Sequence, residues 1–257
     1  MNIFKKEYWK SSLTEFADLR KLAFAALICA ITVVLDGVVK LPLGPFTREV
    51  KVTFFVIALG CSVYGPVWAA LMAVVVDTLS FFLFPTGYAY FPGYMLTEII
   101  VSLFYCLFFY RNKITVTRIF MAKLCANVTH VVLNSLWSMM MMGKAYLYYF
   151  WSGLVKNAIL LPIEVLVLAA FFAAVIPFFA KVKFLPVHDE ESLRKLQFNV
   201  SVFPVLALSF LLGGGCSIYY AVAQAEVDWP FYLLAGALLA GALALGVIGL
   251  VLKKRKD

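Results

Sequence analysis

Apolar residues recur in long runs from Leu22 to Leu252, broken only by short polar segments. Eight runs can be bounded, at 21–39, 52–64, 66–84, 94–110, 118–142, 151–180, 200–223 and 230–252. Crossing a bilayer core takes about 20 mostly apolar residues at about 1.5 Å each, so the pattern predicts a chain of membrane helices. The second run is short and meets the third at Tyr64-Gly65-Pro66, a tight turn. The sixth is too long for one straight crossing, and Pro162 is placed to bend it. Ahead of the first run, Phe4, Tyr8, Trp9, Leu13, Phe16 and Leu19 form a helical stripe with Lys5, Lys6 and Lys10 on the polar side. That predicts an amphipathic helix lying in the membrane interface. The predicted fold class is all-α, a polytopic transmembrane helical bundle.

Composition sharpens this division. Up to about residue 185 the runs carry aromatics and polar groups; beyond it they are rich in Leu, Ala and Gly, including Gly213-Gly214-Gly215. The expected units are an interfacial helix at 1–20, a membrane core at 21–185 and an appended two-span hairpin with a basic tail at 186–257. The chain is 64% hydrophobic and 14% charged, against about a quarter charged in soluble domains. Its net charge of +8 does not point to nucleic acid, because the basic residues sit at the ends of apolar runs and form no stripe in a soluble segment. Sixteen Lys and Arg lie on the N-tail, 111–118, 181–198 and the C-tail, against four on the opposite connections. By the positive-inside rule both termini are cytoplasmic. The polar start of the chain is unlike a signal peptide. The five cysteines lie inside apolar runs without paired or zinc-type spacing, and read as small packing residues.

Candidate chemistry lies inside the runs. An ionisable group at the centre of a span costs roughly 3 kcal/mol and needs a partner or water. Asp36, Asp77, Glu98, Lys123, Lys156 and Glu164 are so placed, with His130 beside them. Chain direction puts Asp36, Asp77, Glu98 and Lys156 in the outer half. Lys123, Asn127, His130 and Asn134 recur at spacings of 4, 3 and 4, which sets them on one helical face, with Trp137 one turn further out. Such a stripe is either glue between helices or, around Asn134 and Trp137, the wall of a ligand cavity. Lys123 is expected to snorkel towards the cytoplasm. The connection from Phe84 to Tyr94 (FPTGYAYFPGY) is uncharged, stiffened by Pro and Gly, and aromatic. It suits a lid over a flat ligand, or else an interfacial aromatic belt.

No phosphate-binding GxxxxGK[ST] and no HExxH occurs, and two histidines exclude a His-rich metal site. No catalytic residue, metal or cofactor is expected. Three functions stay open on the residues alone: a small-molecule importer subunit, an intramembrane enzyme using Asp77 and Glu98 as an acid–base pair on a lipid-linked substrate, and a scaffold with the stripe as glue.

Several stretches, in order, carry a resemblance: 21–30 (KLAFAALICA), 51–54 (KVTF), 64–66 (YGP), Asp77 with 84–87 (FPTG), 91–96 (FPGYML), 133–137 (LNSLW) and 156–164 (KNAILLPIE). Over roughly residues 9–179 the chain resembles the substrate-binding S components of energy-coupling factor (ECF) vitamin transporters, folate type. The resemblance implies a six-helix S-component core plus the C-terminal hairpin, in a prokaryotic plasma membrane. It implies a subunit that binds one vitamin from outside, docks on a transmembrane coupling subunit driven by two ATPase subunits, and topples to release its cargo. Folate has a flat pterin, an aromatic linker and an anionic tail. Tyr88, Tyr90, Phe91, Tyr94 and Trp137 are then expected to stack on or cover it, Asp77, Glu98, Asn134 and Asn157 to read the ring edge, and Arg48, Lys144 or Lys156 to pair with carboxylates. Ala26 and Ala30 match the family's small-xxx-small docking motif. At Gly153, three residues before Lys156, folate-type members usually carry an Arg. Riboflavin, thiamine and other heterocycles therefore stay open as cargo.

Overall fold

Local chemistry sets most of the helix ends in the computed structural model, which describes residues 6–14, 18–41, 50–84, 89–181, 202–223 and 229–254. The elements are α1 (Lys6–Thr14), α2 (Leu19–Val38), β1 (Lys40–Leu41), β2 (Val50–Lys51), α3 (Phe54–Tyr64), α4 (Pro66–Leu83), α5 (Pro92–Phe109), α6 (Val116–Met142), α7 (Tyr146–Lys181), α8 (Val202–Ala223) and α9 (Trp229–Lys254). The Asp18 side chain caps α2 by accepting from Arg20 N at 2.9 Å. Thr115 caps α6 by accepting from Arg118 N. Such caps satisfy amides that have no partner inside the helix. Pro66 and Pro92 open α4 and α5, where the missing N–H is not needed. Gly143 closes α6 in the left-handed region, at φ 72°, which favours glycine.

All eight apolar runs are helical. Six helices, α2, α4, α5, α6, α7 and α9, are long and apolar enough among the described residues to cross a membrane alone. The count is below the eight predicted. α3 has 11 residues, about 16 Å of rise, and the apolar stretch of α8, Leu206–Tyr219, is shorter than the six. α7 runs as one helix of 36 residues with Pro162 and Pro177 inside it. β1 and β2 pair antiparallel, Lys40 opposite Lys51, and form the base of the first connection.

Helices α2 to α7 enclose the main core. α2 packs on α3 and α4, α4 on α5, α5 on α6, α6 on α7, and α3 on both α5 and α7. Ile28, Tyr64, Tyr105, Ile119, Leu168 and Phe172 are sealed within it. The outward faces keep apolar side chains exposed, among them Leu27, Ile31 and Val34 of α2, as a lipid-facing surface does. α8 packs on α7, and α9 on α8. A second, smaller cluster there joins Val155 and Ile159 to Phe210, Leu238 and Ala242.

The amphipathic segment at the N-terminus turns one face inward. Tyr8 and Ser12 of α1 are buried. Tyr8 donates its hydroxyl to Cys106 O at 3.1 Å. Ser12 serves the α3–α4 turn twice, donating to Tyr64 O at 2.6 Å and accepting from Val67 N at 3.2 Å. One hydroxyl thus satisfies two backbone groups that the turn leaves open. Ser12→Ala should therefore destabilise the protein by about 1–3 kcal/mol, the cost of buried unsatisfied groups, read as a lowered unfolding temperature in detergent.

Candidate functional site

Polar side chains from six elements meet in a cavity of about 720 Å³ between α2, β2, α4, α5, α6 and α7. All six ionisable residues of the membrane runs line it, namely Asp36, Asp77, Glu98, Lys123, Lys156 and Glu164, and so does His130. The expected meeting of four in one half is therefore part of a larger assembly that includes Lys123 and Glu164. The volume lies within the range of small-molecule sites, about 300–1,000 Å³.

Two ion-pair groups organise the walls. At the β1–β2 end, Lys51 Nζ lies 3.2 Å from Asp36 Oδ1 and 3.6 Å from Glu98 Oε1, so one lysine joins the first connection to α2 and α5. Over half of its side-chain surface stays open, 54%. The enclosing protein disfavours the charge, but the carboxylates of Glu98 and Asp36 outweigh this and hold the ammonium above the usual lysine range. On the lysine side, the stabilisation is fully present below the ordinary value of about 10.4 and is lost as pH climbs past the raised one. Changes near neutral pH therefore leave it intact. Asp77, on α4, lines a small recess together with Asp36, Lys51 and Glu98 at the same end.

The second group sits between α6 and α7. Lys123 Nζ lies 2.9 Å from Glu164 Oε2 and 4.2 Å from the centre of the Phe54 ring. Asn127 donates to the same Glu164 oxygen at 3.2 Å. Asn157 donates to Gly153 O at 2.8 Å. One turn along the stripe, the Asn134 amide lies 3.2 Å from His130 Nδ1. The snorkelling expected of Lys123 does not occur. The residue is 3% exposed, because a carboxylate on α7 meets its charge inside the bundle.

The aromatic side is built by the start of α5 and the residues before it. Tyr90, Phe91 and Tyr94 line the cavity. Phe91 lies 6.0 Å from Tyr94 and 5.7 Å from Trp137, ring centre to ring centre. Gly93 lets this corner close up, since a Cβ there would collide with Phe91 and Trp137.

Of the residues singled out in the sequence, Asp77, Phe91, Tyr94, Glu98, Asn134, Lys156 and Asn157 line this cavity. Trp137 stands one layer behind, donating from Nε1 to Thr97 Oγ1 at 2.9 Å and backing Phe91. Arg48 and Tyr88 lie outside the described residues. Lys144 is exposed with its Nζ over the Tyr148 ring and is absent from the lining. Ala26 and Ala30 are exposed on α2. Lys51, which shows in the sequence only as a charge on the first connection and as the start of the 51–54 stretch, also lines the cavity; its place beside the apolar start of α3 is the available signal. Met141 and Met142, at the end of α6, reach the lining as well. Gly153 also lines it, and an added Cβ there would make only ordinary van der Waals contact, its nearest atoms being 3.9 Å away on Val131 and Ser135.

Comparison with known proteins bears on this arrangement. Residues 20–172 match the family described as ECF transporter, substrate-specific component. A protein named folate transporter FolT from Clostridium novyi (strain NT) is 33% identical over 116 residues, 45% of this chain and 67% of that protein. Another of the same name, from Leuconostoc mesenteroides subsp. mesenteroides, is 30% identical over 155 residues, 58% of this chain and 82% of that protein. The fold is similar to a crystal structure of FolT bound with folic acid, with a TM-score of 0.52 and 27% identity, covering 58% of this chain and 89% of that one.

Proposed function

The chain belongs to the ECF transporter substrate-specific component family, and from that premise we propose that its cavity captures folate for import. The chain is a membrane transport subunit rather than an enzyme, so Asp77 and Glu98 serve recognition and not acid–base catalysis. The observation that carries the reading is the convergence of the intramembrane ionisable groups in one cavity beside an aromatic corner. A flat heteroaromatic ring needs such faces, and its edge needs the donors and acceptors of Asn134, Asn157, Asp77 and Glu98. Lys156 meets an anionic tail. The relatives named folate transporters, and the likeness to a folate-bound structure, support folate over other vitamins.

In the cell the protein lies in a prokaryotic plasma membrane with both termini cytoplasmic, so the β1–β2 end faces outward and admits the vitamin. Arg48 and Tyr88 act from the first and third connections of the chain, both on the outer side. The loaded subunit docks through Ala26 and Ala30 of α2 on a transmembrane coupling subunit that two ATPase subunits drive; small residues there let a partner helix approach closely.

Native mass spectrometry of the purified protein should detect co-purifying folate, and folic acid should titrate to a single site. Lys156→Ala should weaken folic acid binding by about 1.5–3 kcal/mol, the contribution of a charge-assisted hydrogen bond. Absence of any bound vitamin, with folic acid affinity unaltered by both Lys156→Ala and Trp137→Ala, would overturn the assignment.

A further inference from the structure

The cavity does not explain the run Gly213-Gly214-Gly215 in α8, and the family match ends at residue 172. Glycine weakens a helix interior relative to alanine, so three in succession point to close packing. The structure separates them by direction. A Cβ on Gly213 would lie 2.9 Å from Ala158 O and 3.5 Å from Ile159 Cα, both in the backbone of α7. One on Gly214 would meet Leu239 of α9 at 2.8 Å, and one on Gly215 would meet nothing within 4 Å. Only Gly213 bears on α7.

The carbonyl it approaches is a particular one. A helical carbonyl accepts from the N–H four residues further on. For Ala158 that residue is Pro162, inside α7, which has no N–H to give. Membrane helices tolerate proline where a neighbouring element serves the group it frees. A bare glycine Cα can come near enough for a C–H···O contact. Positions 155, 158, 159 and 162 share one face of α7 by helical spacing, and Val155 and Ile159 pack there against Phe210, Leu238 and Ala242. Lys156, Asn157 and Glu164 line the cavity from the other face. α7 is therefore a wall one helix thick, with a hydrogen bond missing from its ladder beside those cavity-lining residues.

We propose that the α8–α9 hairpin buttresses the binding cavity, with Gly213 as the positioning residue that seats α8 on the carbonyl opened by Pro162 and so fixes Lys156 and Asn157. The inference rests on the cavity being the cargo site, and its test is arranged so that the two can fail separately. Full-length protein in detergent is compared as wild type, Gly213→Ala and Gly215→Ala, by hydrogen–deuterium exchange of α7 and by titration with folic acid. In Gly213→Ala the amides of residues 155–161, 163 and 164 should exchange roughly tenfold faster, and folic acid affinity should fall roughly tenfold. Gly215→Ala, the same chemical change on an open face, should leave both unchanged. Unaltered exchange in Gly213→Ala overturns the buttress. Faster exchange with unaltered affinity overturns the positioning role. If the wild type binds no folic acid, the cargo assignment fails while the exchange comparison still decides the buttress. Should Gly213→Ala not fold, Phe210→Ala loosens the same seat without a clash, and the same exchange outcomes decide.

Discussion

Glu164→Ala is expected to destabilise the folded protein by about 3–5 kcal/mol, the usual cost of stranding one member of a buried ion pair. Lys123 and Glu164 keep only 4% and 12% of their side-chain surfaces exposed, and their charged atoms are 2.9 Å apart. Without the carboxylate, the ammonium keeps the Phe54 ring at 4.2 Å, and a cation–π contact returns only about 2 kcal/mol even when desolvated. Asn127 loses its acceptor as well. The double variant Lys123→Met with Glu164→Ala should recover much of the loss, because a charge that is absent needs no partner. Unfolding midpoints of the two single variants and the double variant, in one detergent, measure this coupling. A single variant within about 1 kcal/mol of wild type would put the pair in the class of exposed ion pairs, which contribute little.

Lys51→Met should weaken folic acid binding by about 2 kcal/mol, which corresponds to roughly thirtyfold. The low end of the range for a truncated charge pair applies because 54% of the Lys51 side chain is open. The loss comes from what remains. Asp36 and Glu98 would face each other across the gap, with Asp77 at the same end, and the two ion pairs that tie β2 to α2 and α5 would be gone. Asp36→Asn leaves the contact between Lys51 and Glu98 in place, and its effect should stay under about 1 kcal/mol. The order of the two variants is the test. A larger loss for Asp36→Asn would mean that Asp36, and not the lysine between the carboxylates, organises that end.

Local pattern revealed what is local in this fold. Run length and turn residues located the eight described helices from α2 to α9, and the 4, 3, 4 spacing placed Lys123, Asn127, His130 and Asn134 together on α6, all of them lining the cavity. Partners distant in sequence left no such trace. Lys123 and Glu164 are 41 positions apart, and only the packing of α6 on α7 shows that the lysine turns inward. Lys51 reaches Asp36 and Glu98 only because β1–β2 folds back over the ends of α2 and α5. Trp137 continues the stripe in projection, yet it stands behind Phe91, because Gly93 lets α5 approach close enough to cover it. A helical wheel assigns a face to a residue but does not say what already occupies it.

α7 also affects the lipid around it. Its apolar stretch of 34 residues, Tyr146–Phe179, rises about 51 Å against a hydrocarbon core of about 30 Å. Even at a tilt of about 40°, the upper end of what membrane helices adopt, it would still span close to 39 Å. Tilt, bending at Pro162 or Pro177 and local thickening of the bilayer share that excess, so acyl-chain length acts as a mechanical load on the subunit, lightest in thick membranes and heaviest in thin ones.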